Sequence, residues 1–228
     1  MIKAVLFDLD GTFADTAPDL GYAVNLMRIA RNLPPVPDEK TRPVTSSGAR
    51  GLLGAGFGIT PDHADYAAMR DEFLQLYEAN LCRATRLFDG MAQLIDALES
   101  RQLIWGIVTN KAERFALPLM KLLGYSARTA CIIGGDTTGV LKPHPAPLYA
   151  AARAINIAPA ACIYVGDDER DVQAGRAAGM TTVAVRYGYL NGSDPTAWGA
   201  DAVVETPLDI LQLLTPVSSD YAVRKYAP

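Results

Sequence analysis

The chain has 228 residues, half of them apolar and a fifth charged, with a formal net charge of −4 and a pI near 5.2. That length allows one large domain or a core with a smaller insert. The acidic balance argues against a nucleic-acid surface or an anionic membrane as partner, and no apolar window has the length of a transmembrane helix. The first apolar run is too short for a secretory leader. Three widely spaced cysteines, Cys82, Cys131 and Cys162, read as reduced thiols of a cytoplasmic protein. With only His63 and His144 present, a histidine-driven triad is a poor fit.

Ile2 to Phe7 form an apolar run that ends in Asp8-Leu9-Asp10-Gly11-Thr12. The pattern predicts a buried strand presenting two carboxylates at its carboxyl end, the edge where open α/β sheets bind ligands. Neighbouring buried acids are costly without a cation or proton to compensate them. A helix is expected from Pro18 to Ala30, capped by Asp15 or Thr16 and ended by Pro34, Pro35 and Pro37. From Asp38 to Cys82 only helical patterns and turns occur, chiefly helices over Ser46–Phe57 and Asp62–Leu81. Gly54-Ala55-Gly56-Phe57-Gly58 reads as a flexible turn there and not as a dinucleotide loop, because no strand precedes it.

From Gly90 a regular alternation begins. Strands are expected over Leu103–Val108, Ala130–Ile133, Cys162–Val165 and Thr181–Val185. Helices are expected over Met91–Arg101, Arg114–Leu123, Ala146–Asn156 and Arg170–Ala178, with Gly124 and Gly179 as stops. A last strand–helix pair falls within Ala202 to Leu214, and the polar tail after Thr215 is expected to fray. Alternating strands and helices imply a parallel sheet with right-handed crossovers. The expected class is therefore α/β, with a Rossmann-like parallel core over residues 1–14 and 86–228. An all-helical cap domain over residues 15–85 interrupts it.

Four places at or just beyond strand ends carry chemistry: Asp8 to Thr12, Thr109-Asn110, Lys142 before Pro143, and Gly166 to Asp171. In a parallel sheet these ends share one edge, so the four places converge. The inventory suits phosphoryl transfer. Asp8 and Asp167 are hard oxygen ligands for Mg²⁺. Asp8 is the expected nucleophile, forming an aspartyl-phosphate, and Asp10 the expected general acid and base. Lys142 and Thr109 would hold the phosphoryl oxygens, with Asn110 and the backbone amides after Asp8, Gly11 among them, completing the cradle. Asp168 and Glu169 could instead simply favour the start of the following helix.

These places, in this order, resemble the motifs of the haloacid dehalogenase superfamily of phosphatases, and the likeness covers nearly the whole chain. The resemblance implies Mg²⁺ held by Asp8, the Asp10 carbonyl and Asp167, with Asp171 and Asp168 as outer or alternate ligands. It also implies a helical cap that closes over substrate. Within the superfamily the chain is similar to phosphoglycolate phosphatases, and more so to phosphatases of N-acetylmuramic acid 6-phosphate in bacterial cell-wall recycling. Gly48-Ala49-Arg50, Leu87 to Met91, Trp105 to Lys111, Ala184 to Tyr189 and Trp198 to Asp201 carry that likeness. The implied substrate is a small carboxylated phosphate ester, 2-phosphoglycolate or N-acetylmuramic acid 6-phosphate; the assembly is left open between a monomer and a homodimer.

Phe13 stands where the family commonly has a smaller aliphatic residue, and is expected to narrow the floor of the site. Ser46, Ser47 and Arg50 open a cap helix, and Arg50 or its neighbouring amides are expected to read the substrate carboxylate. The alternatives are another sugar-phosphate phosphatase, a phosphomutase, and a non-catalytic binding module. The intact set of acids speaks against the last.

Overall fold

The computed structural model describes residues 1–214, and the tail expected to fray lies outside them. The main sheet has six strands in the order β5-β4-β1-β6-β7-β8, every neighbouring pair parallel. They are β1 (Ala4–Phe7), β4 (Ile104–Val108), β5 (Ile132–Ile133), β6 (Cys162–Gly166), β7 (Thr181–Val185) and β8 (Ala202–Val204). The crossovers carry α5 (Met91–Ser100), α6 (Glu113–Leu122), α7 (Ala146–Ala154) and α8 (Glu169–Ala178), and α9 (Ile210–Leu213) follows β8. β1 has no polar residue and no exposed one, as expected of a strand covered on both faces. Val5, Phe7, Ile107, Val165, Val183 and Val185 belong to one buried layer, and Leu6, Val108, Cys162 and Tyr164 to the other. The expected α/β class is thus the observed one.

Register explains the convergence. Phe7 aligns with both Ile107 on β4 and Val165 on β6. Asp8, Thr109 and Asp167 therefore leave three adjacent strands within a residue of one another, on the same edge. Strand β5 is shorter than expected, because Ala130 and Cys131 reach β4 through single backbone contacts before regular pairing begins.

Between β1 and α5 the chain forms α1 (Ala17–Ala30), α2 (Asp38–Thr41), α3 (Gly48–Phe57) and α4 (Tyr66–Ala79). The apolar faces of α1, α3 and α4 share a cluster of Leu20, Val24, Met27, Leu52, Leu53, Phe73 and Tyr77, joined by Phe115 from α6. Two-residue strands β2 (Ala14–Asp15) and β3 (Arg86–Leu87) pair antiparallel where the chain enters and leaves these helices. So short a pair is below any periodicity that a sequence could display. Buried Asp19 on α1 fastens the exit, accepting hydrogen bonds from the amides of Ala84 and Thr85 and the Thr85 hydroxyl.

Several local expectations need correction. Neither Asp15 nor Thr16 caps α1 through its side chain. The Tyr189 hydroxyl donates to Asp15, which also pairs with Arg42, and the Thr16 hydroxyl donates to Asp10. Residues 42–47 form a 3-10 turn around Pro43, so α3 starts at Gly48 and not at Ser46. Pro61 opens a turn that delays α4 to Tyr66. The glycine-rich run is not a loose turn: it closes α3, and Gly58 caps the helix in the left-handed region at φ +70°.

Candidate active site

Asp8 follows β1 directly, and its amide donates to the Val165 carbonyl at 2.9 Å. The chain then folds back on itself. Phe13 and Ala14 donate to the carbonyls of Asp8 and Leu9, and Gly11 donates to the Ala14 carbonyl. The Gly11 amide, expected in a phosphate cradle, is therefore already engaged. Gly11 has φ +85°, and a Cβ there would lie 2.1 Å from Asp167 Oδ2. Only glycine permits both the turn and that approach. Gly188 meets the same carboxylate from the other side, its hypothetical Cβ being 2.2 Å from Asp167 Cβ. Phe13 does not reach the site. It is fully buried, stacks on Trp105 at 5.5 Å between centroids and contacts Phe7 and Tyr125, because the back-folded loop turns it into the core.

Asp8, Asp167 and Asp171 are all buried and place carboxylate oxygens within 4.8 Å of one another. Lys142 is the ammonium between them, with Nζ 2.8 Å from Asp8 Oδ1 and 2.7 Å from Asp171 Oδ1. It also lies 3.0 Å from the Val108 carbonyl and 2.7 Å from the Tyr164 hydroxyl. Burial alone would lower its pKa, but Asp171 and Asp8 overcome that and raise it, so it stays charged. Burial pushes Asp8 up to about 6, with Asp171 adding to the rise and Lys142 opposing it. Asp167 is raised well above the usual carboxylate range by burial and by the charges of Asp8 and Asp171. Thr12, Ser46 and the Tyr189 amide all donate to Asp167 and fix its orientation.

Three buried acids with one shared ammonium are short of positive charge. Hard oxygens so close together suit a small oxygen-seeking cation, and Mg²⁺ fits this donor set. The expected ligands Asp8 and Asp167 are in the cluster. Asp171, expected as an outer ligand, is the third member. Asp168 stands outside it: its carboxylate caps α8, accepting from the Arg170 amide, and pairs with the Arg170 guanidinium at 2.7 Å. Arg170 in turn donates to the Ser46 carbonyl at 2.8 Å.

Asp10 turns away from the three acids. Its carboxylate accepts from Lys111 Nζ at 2.8 Å and from the Thr16 hydroxyl. Lys111 is a residue that the sequence reading passed over, although it follows Thr109 and Asn110 at the end of β4. Burial works against its charge, yet Asp10 and Tyr77 leave its pKa raised. The Tyr77 ring of α4 lies 4.7 Å from its Nζ, so a helix of the insert touches the group that holds Asp10. Thr109 is buried, and its hydroxyl accepts from the Lys111 amide. Asn110 grips the Lys142 backbone with both ends of its amide, at 2.9 and 3.0 Å, and so positions the lysine.

These groups open into a cleft of about 330 Å³ between the sheet edge and the inserted helices. Asp8, Asp10, Thr109, Asn110, Lys142, Ser46 and Ser47 line it, whereas Arg50 is exposed and outside the lining. Among the described residues, no helix is long and apolar enough to cross a membrane.

The parallel order, the helices inserted after β1 and the buried acids at the strand edge together define a hydrolase of the haloacid dehalogenase-like type. The chain belongs to that family, whose model, a haloacid dehalogenase-like hydrolase, matches residues 5–185. It is 44% identical over 214 residues to an N-acetylmuramic acid 6-phosphate phosphatase of Pseudomonas aeruginosa, covering 93% of this chain and 95% of that one. It is 48% identical over 206 residues to a phosphoglycolate phosphatase of Xanthomonas campestris, covering 90% and 93%. The crystal structure of a predicted phosphoglycolate phosphatase from Haemophilus somnus superposes with a TM-score of 0.83 at 26% identity, covering 94% of this chain and 98% of that one. By family and by relatives, the chain is a phosphoric monoester hydrolase.

Proposed function

We propose that the chain is a Mg²⁺-dependent phosphomonoesterase that works through an aspartyl-phosphate on Asp8, with N-acetylmuramic acid 6-phosphate as substrate. The observation that carries this reading is the cluster of Asp8, Asp167 and Asp171 around Lys142 at one sheet edge. Asp8 and Asp167, with Asp171 beside them and the Asp10 carbonyl, would hold the metal. When bound, it supplies Lewis acidity and offsets repulsion between a carboxylate and a phosphate dianion.

The chain's own residues then do the rest. An Asp8 oxygen attacks phosphorus, and the bond to the ester oxygen breaks. Asp10 gives its proton to that leaving oxygen. It then takes a proton from a water that attacks the same phosphorus, releasing inorganic phosphate and the free Asp8 carboxylate. Lys142 and Thr109 hold the phosphoryl oxygens where negative charge accumulates. Ser46 and Ser47 face them from the insert. Residues 15–85 act as a cap on a core of residues 1–14 and 86–228. Their own apolar cluster and the β2–β3 pair at their boundary support that division.

The substrate assignment rests on the 44% relative and on the wall of the cleft. Leu20, Phe73, Leu74, Phe115 and Leu141 offer apolar surface that a sugar ring with an acetamido group can cover and a two-carbon acid cannot. The 48% relative favours 2-phosphoglycolate as the second reading. The test is release of inorganic phosphate from both esters and from common sugar phosphates at equal concentration, with Mg²⁺ and with a chelator. The expected result is fastest release from N-acetylmuramic acid 6-phosphate, lost with chelator and in Asp8→Asn with the fold kept. Inertness toward every ester in Mg²⁺ would end the reading.

A further inference from the structure

The charged residues lining the cleft pair off with one exception. Lys142 is shared by Asp8 and Asp171, Lys111 holds Asp10, and Arg170 holds Asp168. Arg114 also lines the cleft, and no carboxylate among the described residues pairs with it. It sits in the first turn of α6 and is exposed, with its guanidinium 4.5 Å over the Phe115 ring. Phe115 is itself buried and packs on Tyr77 at 5.6 Å. The nearest acids along the chain are committed elsewhere: Glu113 bonds the Thr137 hydroxyl, and Asp136 accepts from the Glu113 amide.

A guanidinium stacked on a fixed ring keeps its flat donor edge free for a planar anion. Here it lies over Phe115, which with Leu20, Phe73, Leu74 and Leu141 gives the cleft its apolar lining. In the reaction proposed above Lys142 and Thr109 hold the phosphate, and the apolar lining covers uncharged parts of a substrate. The unpaired cation calls for a second anion on the same molecule. From this arrangement we infer that Arg114 is the specificity residue that grips the carboxylate of the substrate, a charge-assisted pair of the kind arginine forms bidentately. The inference rests on the phosphatase reading above and adds to it the group that selects carboxylated esters. Arg50, the earlier expectation for this role, lies outside the cleft lining.

N-acetylmuramic acid 6-phosphate and N-acetylglucosamine 6-phosphate differ by the lactyl ether that bears the carboxylate. The measurement is the ratio of kcat/KM for these two esters in the wild type, Arg114→Ala and Arg114→Lys. The wild type is expected to favour the carboxylated ester. In Arg114→Ala the ratio should fall by about tenfold or more, chiefly through KM, and Arg114→Lys should fall between, keeping the charge but losing the fork. Calorimetric binding of free N-acetylmuramic acid should weaken in parallel, a readout that needs no turnover. A wild-type preference that persists in Arg114→Ala overturns the inference and leaves the phosphatase reading intact. A wild type with no preference overturns it as well. If the wild type hydrolyses neither ester but releases phosphate from 2-phosphoglycolate, the inference falls and the phosphatase reading stands; if it is inert toward all three, both fail.

Discussion

Lys142→Met removes the ammonium and leaves the volume. The lysine lies 2.8 Å from Asp8 and 2.7 Å from Asp171, with both carboxylates buried. Breaking a buried pair by deleting one partner costs about 3–5 kcal/mol. Asp8 can escape part of that loss. It is already pushed up to about 6 with Lys142 opposing the rise, so without the lysine a proton on it at pH 7 costs less than about 1.4 kcal/mol. Asp171 bears most of the rest, keeping only the Tyr164 hydroxyl and the Asp168 amide as donors. The expected loss at pH 7 is therefore about 3–5 kcal/mol, a fall in Tm of about 6–20 °C for a chain of this size. At pH 5 the gap should narrow, because Asp8 is then protonated in both proteins and the lysine serves Asp171 alone. Thermal unfolding of metal-free protein at both pH values, followed by circular dichroism, makes the measurement. A variant as stable as the wild type at pH 7 would refute the claim that Lys142 holds the acids together.

Three further outcomes are expected. Gly11→Ala should destabilise by at least about 1–2 kcal/mol and abolish most turnover, because φ is +85° and the new Cβ would displace the Asp167 carboxylate; activity and unfolding of the purified variant check both. Metal-free wild type should lose stability as pH rises from about 4 to 6, since the folded state holds a proton on Asp8 up to about 6 whereas the unfolded chain releases it near 3.8. Chemical denaturation across that window should show this slope, and Asp8→Asn should flatten it. Lys111→Met should lower kcat by up to about 10²-fold on sugar phosphates and much less on aryl phosphates, whose leaving group needs no proton from Asp10. Equal losses on both would contradict an effect through Asp10.

The framework of this site was legible in the sequence because strand alternation is a long-range pattern. Once Phe7, Ile107 and Val165 are read as lying on parallel strands, Asp8, Thr109 and Asp167 follow to one edge. What was not legible depends on which partner a side chain chooses in space. Lys111 and Lys142 look alike in sequence, yet one holds Asp10 and the other sits among three acids. Asp168 and Asp171 are three residues apart on one helix start. Only the turn of α8 decides that Asp171 faces the cluster and Asp168 faces Arg170. Phe13 was misplaced for a related reason, since the back-folding of residues 8–14 depends on hydrogen bonds to the Asp8 and Leu9 carbonyls. Arg114 gave no signal at all, because an unpaired cation is recognisable only after every other pair is known.

The central claim is that Asp8 becomes covalently phosphorylated. Rapid acid quench of the enzyme turning over a phosphate-labelled ester, followed by peptide mapping, tests it directly. The label should appear on the peptide containing Asp8 and vanish when the acyl-phosphate is cleaved with hydroxylamine. Rapid phosphate release with no label on that peptide at any quench time would contradict the account.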